Sequence, residues 1–215
     1  MRQFSFAVLG AVLLSAVSVS AQADTLLGLY VGADGIINTG ESNHVSADNK
    51  VVGSYYLAFD HPVPFLPDVK LRYTSLDQSG SNGGFLDAMG YYQLLDNIVS
   101  VDVGLGAKYL NSSIDLTSSS AKITDNKTIP AVYVSAGGKL PFTGLSAKAE
   151  AFAGKWINAD FTDYNAEVKY NFIENVAVDL GVKAGYRDMM VNIDHSGANN
   201  DIKVQGPYLG LEAHF

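Results

Sequence analysis

The sequence predicts an all-β protein, a transmembrane antiparallel up-and-down β-barrel. Apolar residues recur at every second position through most of the chain, which is the period of a β-strand. No apolar run beyond the N-terminal region reaches the roughly 18 residues that a membrane-spanning helix needs. Aromatic residues gather at both ends of the predicted strands, as they do at the two interfaces of a membrane-spanning barrel.

The segment from 99 to 109 shows the alternation most clearly. Val101, Val103 and Leu105 fall on one face, whereas Asp102 and Lys108 fall on the other. Successive side chains of a strand point to opposite faces, so one face is apolar and the other is polar. A soluble β-sandwich also alternates, but it would place Tyr and Phe mainly in its core rather than at both strand ends.

Ten segments follow this pattern, and those near 84–95 and 128–140 are the least regular. An even number is expected when both ends of the chain lie on the same side of the membrane. Eight strands remain an alternative if two segments are loop excursions. The predicted strands are 26–34, 50–60, 69–76, 84–95, 99–110, 128–140, 146–155, 161–172, 176–187 and 202–215.

The predicted connections alternate in length. Those after even-numbered strands are short, whereas several after odd-numbered strands are long and polar, notably 35–49, 111–127 and 188–201. Short periplasmic turns and longer outer loops are typical of barrels in bacterial outer membranes. The aromatic residues fit this orientation: Tyr73, Tyr109, Trp156 and Tyr186 lie at predicted outer ends, and Phe59, Tyr92, Phe142, Tyr170, Phe172 and Phe215 at predicted inner ends.

Two stretches of the chain resemble each other. The residues from Tyr92 to Gly104 align with those from Tyr170 to Gly181 when one gap is allowed. Each stretch is a predicted strand, a tight turn and a second strand. Duplication of a hairpin and convergence on good turn and strand residues both explain the similarity.

The N-terminus has the pattern of a secretory signal peptide. A positive charge at Arg2 precedes an apolar run of small residues, and Ala21 and Ala23 form the small-x-small cleavage pattern. Cleavage after Ala23 divides the chain into a signal peptide (1–23) and a β-barrel domain (24–215). The apolar run is short for a retained membrane anchor. No cysteine follows it, so a bacterial lipoprotein is excluded.

The composition excludes several classes of function. The formal net charge is −8, which argues against nucleic acid as a partner because phosphate binding needs basic patches. The absence of cysteine excludes disulfides and thiolate metal sites.

The last strand carries a recognisable signature. Leu209, Leu211, Ala213 and Phe215 alternate with polar residues and glycine, and the chain ends in Phe. This pattern resembles the C-terminal signature of bacterial outer-membrane proteins, although Pro207 stands where an aromatic residue is usual. The mature chain as a whole resembles the small outer-membrane barrels of unassigned function in Gram-negative bacteria. The resemblance implies an outer-membrane location and insertion by the barrel assembly machinery.

Charged residues of both signs fall on the predicted inward face. A small barrel is just wide enough for side chains to fill it, so these charges must pair with one another. A lumen closed by salt bridges is the leading interpretation, a narrow polar channel is the alternative, and a wide pore needs about 16 strands. The inward charges are Lys70, Arg72, Lys108, Lys139, Lys148, Lys169, Lys183 and Arg187, against Asp34, Asp60, Asp87, Asp102, Glu150, Asp163, Glu167, Asp179 and Glu212.

We find no catalytic pattern. His44 and His195 fall in predicted outer loops, whereas His61 and His214 fall near the predicted periplasmic end. Asp194 adjoins His195, but neighbours in an extended chain point to opposite sides, so it is badly placed to orient that ring. There is no Gly-x-Ser-x-Gly elbow and no EF-hand spacing. We therefore expect neither catalysis nor a cofactor or metal site.

Three functions are compatible with these features. The first is a non-enzymatic structural role in the envelope, with a lumen filled by charge pairs. The second is a narrow channel or small-ligand carrier, and the third is an adhesin or receptor acting through the outer loops. The expected partners are outer-membrane lipid, lipopolysaccharide and the barrel assembly machinery, and we expect a monomer.

Overall fold

The described residues of the computed structural model form ten β-strands. Within this part of the chain no helix has the length and hydropathy needed to cross a bilayer. The structure describes residues 28–40, 50–61, 63, 65–76, 81–96, 98–115, 122–175, 177–195 and 198–215. The strands are β1 (Gly28–Asn38), β2 (Lys50–Asp60), β3 (Asp68–Ser75), β4 (Ser81–Asp96), β5 (Val99–Asp115), β6 (Lys122–Lys139), β7 (Leu145–Trp156), β8 (Ala159–Glu174), β9 (Asp179–His195) and β10 (Ala198–His214).

The ten strands form one closed antiparallel barrel. Each strand pairs with its neighbours in the sequence, and β1 pairs with β10 to close the sheet. Backbone hydrogen bonds between Leu29 and Phe215 continue this seam to the end of the chain. The predicted fold class is confirmed with ten strands, and the alternative of eight is wrong. The predicted signal peptide lies outside the described residues.

The two ends of the barrel differ in structure and are called the proximal and the distal end. The proximal end is the one at which β10 finishes and where the turn of residues 140–144 joins β6 to β7. The distal end is the opposite one, where the turn Ile157–Asn158 joins β7 to β8. Asn158 has a positive φ of 56°, a conformation that Asn tolerates better than most residues.

Strands at the distal end are longer than the sequence predicted. β5 and β6 remain paired as far as Asp115 and Lys122, and β9 and β10 are paired up to His195 and Ala198. The outer loops predicted at 111–127 and 188–201 are therefore wrong over most of their length. The prediction required an apolar outer face, and the polar residues of these segments interrupt that face although the strands stay paired.

The alternation of side chains separates an apolar outer surface from a polar interior. Outward positions such as Leu105, Val132 and Leu211 are exposed to the surroundings of the barrel. Along β5 the outward residues from Val99 to Tyr109 are all apolar or aromatic. Such a surface is stable only against a hydrocarbon phase or another apolar surface.

Polarity inverts towards the distal ends of β8, β9 and β10. On the proximal part of β9, the apolar residues Val182 and Tyr186 face outward. On its distal part, the apolar residues Met189 and Val191 face inward and are fully buried. The outward Asn192 of this distal part hydrogen-bonds Asp160 of β8 at 2.9 Å. The strands thus pass from a segment with an apolar exterior to one with an apolar interior.

Two β-bulges explain the irregular alternation near the proximal end. The register shifts between Gln93 and Leu95 in β4 and between Asn171 and Ile173 in β8. A bulge inserts one extra residue and moves the following side chains to the other face. The two bulges occupy equivalent positions in the two similar stretches of sequence, so the likeness of these hairpins extends to their backbone.

Candidate functional site in the lumen

The residues predicted for the lumenal charge network all face inward. All but Asp179 lie within 4.0 Å of an oppositely charged group. Asp179 contacts the ring of His214 at 3.5 Å. The residues are Lys70, Arg72, Asp87, Asp102, Lys108, Lys148, Glu150, Glu167, Lys169, Asp179, Lys183, Arg187 and Glu212.

A central ion cluster crosses the middle of the lumen. The register of the sheet brings three of its members together, because Arg72, Asp87 and Lys108 are direct cross-strand neighbours on β3, β4 and β5. Lys108 Nζ lies 2.6 Å from Asp87 Oδ1, and Arg72 Nε lies 3.3 Å from Asp87 Oδ2. The central ion cluster comprises Lys70, Arg72, Asp87, Lys108, Lys148, Glu150, Asp163 and Arg187.

Asp163 holds three cations of this cluster together. Arg187 contacts both of its oxygens, with Nε–Oδ1 at 2.9 Å and Nη2–Oδ2 at 2.7 Å. Lys108 and Arg72 reach Asp163 Oδ2 from other strands at 3.4 and 3.3 Å. Bidentate contacts between arginine and carboxylate combine strength with a fixed geometry. The side chain of Asp163 has no exposed surface, so its charge depends on these partners.

Glu150 of β7 forms the second centre of the cluster. Its carboxylate lies 2.5 Å from Lys70, 3.2 Å from Lys148 and 3.4 Å from Arg72. Tyr133 also donates a hydrogen bond to Glu150 at 2.8 Å. The contacts with Lys70 and Arg72 join β7 to β3, which is not its neighbour in the sheet, so they tie opposite walls of the barrel together.

A lateral ion cluster lies against β1, β8, β9 and β10. Lys183 lies 3.0 Å from Asp34 and 3.3 Å from Glu167, and Lys169 lies 2.6 Å from Glu212. The lateral ion cluster comprises Asp34, Glu167, Lys169, Lys183 and Glu212. Two tyrosines belong to its surroundings: Tyr208 donates to Glu167 at 2.6 Å, and Tyr56 donates to Glu212.

Inward glycines make room for these long side chains. A Cβ on Gly32 would overlap the ring of Tyr56, which lies across it. A Cβ on Gly210 would overlap the carboxylate of Asp34 in the same way. Gly32 and Tyr56 are cross-strand partners, as are Gly210 and Asp34. The pairing of glycine with a long polar residue therefore follows from the register.

An apolar plug fills the lumen on the distal side of the central ion cluster. Phe85, Phe152 and Met189 have no exposed surface. Phe152 and Phe161 meet edge to face with ring centroids 5.1 Å apart, and Lys108 Nζ lies 4.8 Å from the centre of the Phe161 ring. The distal plug comprises Ile36, Val52, Leu76, Phe85, Leu110, Ile129, Phe152, Phe161, Met189, Val191, Ile193 and Val204.

On the proximal side the lumen opens into a cavity of about 380 Å³. Its inner end reaches the central ion cluster at Arg72 and Arg187, and its mouth is lined by residues of the β6–β7 turn, including Phe142. Phe142 is fully exposed and belongs to the turn rather than to a strand end as predicted. Among the described residues this cavity therefore extends from the proximal end of the barrel to the central ion cluster.

The sequence interpretation missed the distal plug. It placed the end of β9 at Arg187 and treated the residues beyond as a loop. The signal was present, because Met189, Val191 and Ile193 continue the alternation with apolar and polar faces exchanged. An exchanged alternation indicates a strand whose apolar face has turned towards the inside of the barrel.

Two of the histidines lie at the proximal end. His214 stacks on Tyr30 with ring centroids 4.1 Å apart and supports the seam between β1 and β10. The Nδ1 atom of His61 accepts a hydrogen bond from the backbone N–H of Val63 at 3.2 Å. His44 lies outside the described residues, and His195 is the last residue of β9. Among the described residues no group of three or more His, Asp or Glu side chains is arranged to hold a metal ion.

Comparison with known proteins gives matches among solved structures alone. No protein-family model matches the chain, and no curated protein matches it either. The β domain of the Bordetella autotransporter BrkA matches with a TM-score of 0.42 and 10% identity, over 88% of this chain and 99% of that chain.

Two further outer-membrane proteins match less well. A major outer membrane protein from Thermus thermophilus has a TM-score of 0.33 and 13% identity, over 88% of this chain and 99% of that one. The Acinetobacter baumannii outer membrane protein Omp33 has a TM-score of 0.33 and 11% identity, over 90% and 99%.

Proposed function

We propose that the chain is an outer-membrane β-barrel with a sealed lumen and a structural, non-enzymatic role in the bacterial envelope. One observation carries the proposal: the charged side chains of the central ion cluster and the apolar side chains of the distal plug are buried against one another inside the barrel. Lys108, Asp87 and Asp163 have no exposed side-chain surface at the level of the cluster. An aqueous path needs polar groups in contact with water, and these groups contact one another instead.

The outer surface supports the membrane location. The strands present exposed apolar side chains to their surroundings, while their charged side chains pair inside. In this placement the proximal end faces the periplasm, and the distal end, where polarity inverts, lies outside the cell. Lipid and lipopolysaccharide contact the outer wall, the barrel assembly machinery inserts it through the strand that ends in Phe215, and the barrel works as a monomer.

The alternatives have less support. A narrow channel or carrier requires a continuous polar route, but Phe85, Phe152 and Met189 block the distal half without leaving exposed surface. An adhesin or receptor would act through distal segments. Residues 116–121 and 41–49 lie outside the described part, so no geometry supports that function.

Single-channel recording in planar lipid bilayers tests the sealed lumen. The refolded barrel is expected to give no discrete, reproducible openings across a range of voltages. A wide porin refolded and inserted by the same procedure serves as the positive control, and heat-modifiable migration on gels shows that the barrel is folded. Reproducible openings of uniform size would refute the sealed lumen.

Cell fractionation tests the location independently. The mature chain is expected in the outer-membrane fraction and extractable by detergent alone. Recovery of a folded, soluble monomer among periplasmic proteins would refute the membrane location.

A further inference from the structure

We propose that the turn between β2 and β3 inserts apolar side chains into the periplasmic leaflet of the membrane, as a flange on the outer wall of the barrel. The β2–β3 flange comprises the described residues 63 and 65–67. Its partner is phospholipid at the boundary between hydrocarbon and headgroups. This insertion rests on the membrane location proposed above, which assigns no lipid contact to the turn.

The turn leans against the outward face of β4. The hydroxyl group of Tyr92 donates a hydrogen bond to the carbonyl oxygen of Phe65 at 3.0 Å. Pro67 packs over Gly90, where a Cβ on the glycine would lie 3.6 Å from the proline Cβ. Gly90 and Tyr92 lie on the same face of β4 as Leu86, which is exposed on the apolar outer surface. The β2–β3 flange therefore lies on the wall that the strands present to lipid.

The side chains of the β2–β3 flange are apolar and exposed. Phe65 is 93% exposed, and Val63 and Leu66 are more than half exposed. Phe65 has a positive φ of 70°, a conformation that is costly for a residue with a Cβ. At the base of the turn, Phe59 and Val69 are cross-strand partners that are both exposed on the outer surface. The apolar surface continues from the strands onto the turn, so the phase that covers the strands also covers the turn.

The backbone of this segment is suited to a medium without water. Lipid offers no hydrogen bonds, so each backbone N–H that enters it needs a partner within the protein. Three of the seven residues from 61 to 67 are prolines, which have no N–H. Among the other four, His61 donates to Asp68 Oδ1 at 2.9 Å. Val63 donates to His61 Nδ1 at 3.2 Å, and Leu66 donates to the carbonyl oxygen of Val63 at 3.4 Å.

The turn between β6 and β7 provides an internal comparison. Phe142 is also fully exposed and has a positive φ of 64°. It lines the mouth of the proximal cavity, whereas Phe65 does not. The two phenylalanines therefore share their conformation, their exposure and their end of the barrel, and they differ in the side of the wall on which they lie.

Fluorescence quenching in lipid vesicles tests where the β2–β3 flange lies. Trp156 is the natural tryptophan of the chain, so Trp156→Phe gives a background without one. Phe65→Trp, Phe142→Trp or Leu105→Trp then introduces a single probe. The vesicles contain phosphatidylcholine that is brominated near the headgroup or near the chain ends. We expect bromine near the headgroup to reduce the emission from position 65 at least twofold, and acrylamide in the water to have little effect there.

Position 142 should show the reverse pattern, with strong quenching by acrylamide and weak quenching by brominated lipid. Equal quenching by lipid at positions 65 and 142 would refute a distinct flange on the outer wall. Quenching of position 65 by acrylamide alone would place the turn in water, where a soluble protein could bind it, and would refute the insertion.

Position 105 separates the failure of this proposal from the failure of the membrane location. Leu105 lies near the middle of the outward run of β5, so bromine near the chain ends should quench a probe there. Quenching at position 105 without quenching by lipid at position 65 would refute the β2–β3 flange alone. A lack of quenching by lipid at all three positions would refute the membrane location, and the flange with it.

Tyr92 is a positioning residue for the β2–β3 flange, because its hydroxyl group gives the carbonyl of residue 65 a donor that lipid lacks. Tyr92→Phe, combined with Phe65→Trp, should weaken the quenching by brominated lipid at least twofold. Tyr170→Phe is the matched control, because Tyr170 occupies the equivalent position in the second of the two similar stretches, and it should leave the quenching unchanged. Heat-modifiable migration shows that each variant is folded. Equal quenching with Tyr92→Phe and with Tyr170→Phe would refute the role of Tyr92.

Discussion

At the scale of single residues, stability depends on charges that cannot be separated from one another. A buried charge is costly unless partners satisfy it, and breaking a buried pair by removing one member leaves the other uncompensated. Asp163 is the extreme case here, because Arg187, Lys108 and Arg72 all direct donors at it. Its loss would leave several cations with too few carboxylates.

We therefore predict that Asp163→Asn lowers the free energy of unfolding by about 3–5 kcal/mol, the usual cost of breaking a buried ion pair. Reversible urea unfolding in lipid vesicles, followed by fluorescence of Trp156, measures the effect. Asp160→Asn is the matched control: Asp160 lies on the same strand but faces outward, where its side chain accepts a hydrogen bond from Asn192.

The control should change the free energy of unfolding by no more than about 0.5 kcal/mol. If the two variants were equally stable, the central ion cluster would not hold the barrel together.

At the scale of strands, the apolar outer run of β9 has a definite distal limit, beyond which its apolar side chains face inward. A charge placed on the lipid-facing side of such a barrel costs most at the middle of the bilayer and little near the interface. Leu105 lies near the middle of the outward run of β5, whereas Asn192 lies beyond the point where the polarity of β9 inverts.

Leu105→Arg should accordingly destabilise the barrel by about 2–4 kcal/mol, and Asn192→Arg by about 0–1 kcal/mol. The same unfolding measurement in lipid vesicles compares the two substitutions directly. A cost for Asn192→Arg as large as that for Leu105→Arg would show that β9 is still within hydrocarbon at that position.

The strand scale also shows what the sequence can predict. Alternation over 99–109 was sufficient to assign β5 and its two faces, and the same pattern placed Lys108 and Arg187 inside the lumen. The pattern was less clear near 84–95 because a bulge between Gln93 and Leu95 breaks its period. Such a bulge depends on pairing with the next strand, which the order of residues does not reveal.

The limits of prediction were similar for the candidate site. Whether a side chain faces inward depends only on its position in the alternation along its own strand. The charged residues of the lumen could therefore be predicted from that alternation alone. Their partners could not, because Arg72 meets Asp163 across the barrel rather than along one hairpin. The distal plug was missed since the prediction ended β9 where its outer face became polar.

At the scale of the whole molecule, the closure of the sheet and the packing of side chains inside the barrel both stabilise the fold. Pairing of β1 with β10 removes the exposed sheet edges, which would otherwise bind other chains. Contacts such as Lys70–Glu150 and Lys169–Glu212 then join strands that are not paired in the sheet. The barrel therefore has a packed interior at its centre and distal end and free space at its proximal end.

The most direct test of this arrangement is the reactivity of single cysteines along the lumen, because the natural chain contains none. Ser146→Cys lies in the proximal cavity, Ile129→Cys in the distal plug and Thr128→Cys on the exposed outer side of β6. With a small water-soluble thiol reagent in lipid vesicles open to both sides, the account predicts reaction at positions 146 and 128 and none at 129. Reaction at position 129 as fast as at position 146 would show that water passes through the barrel, and would contradict the sealed lumen.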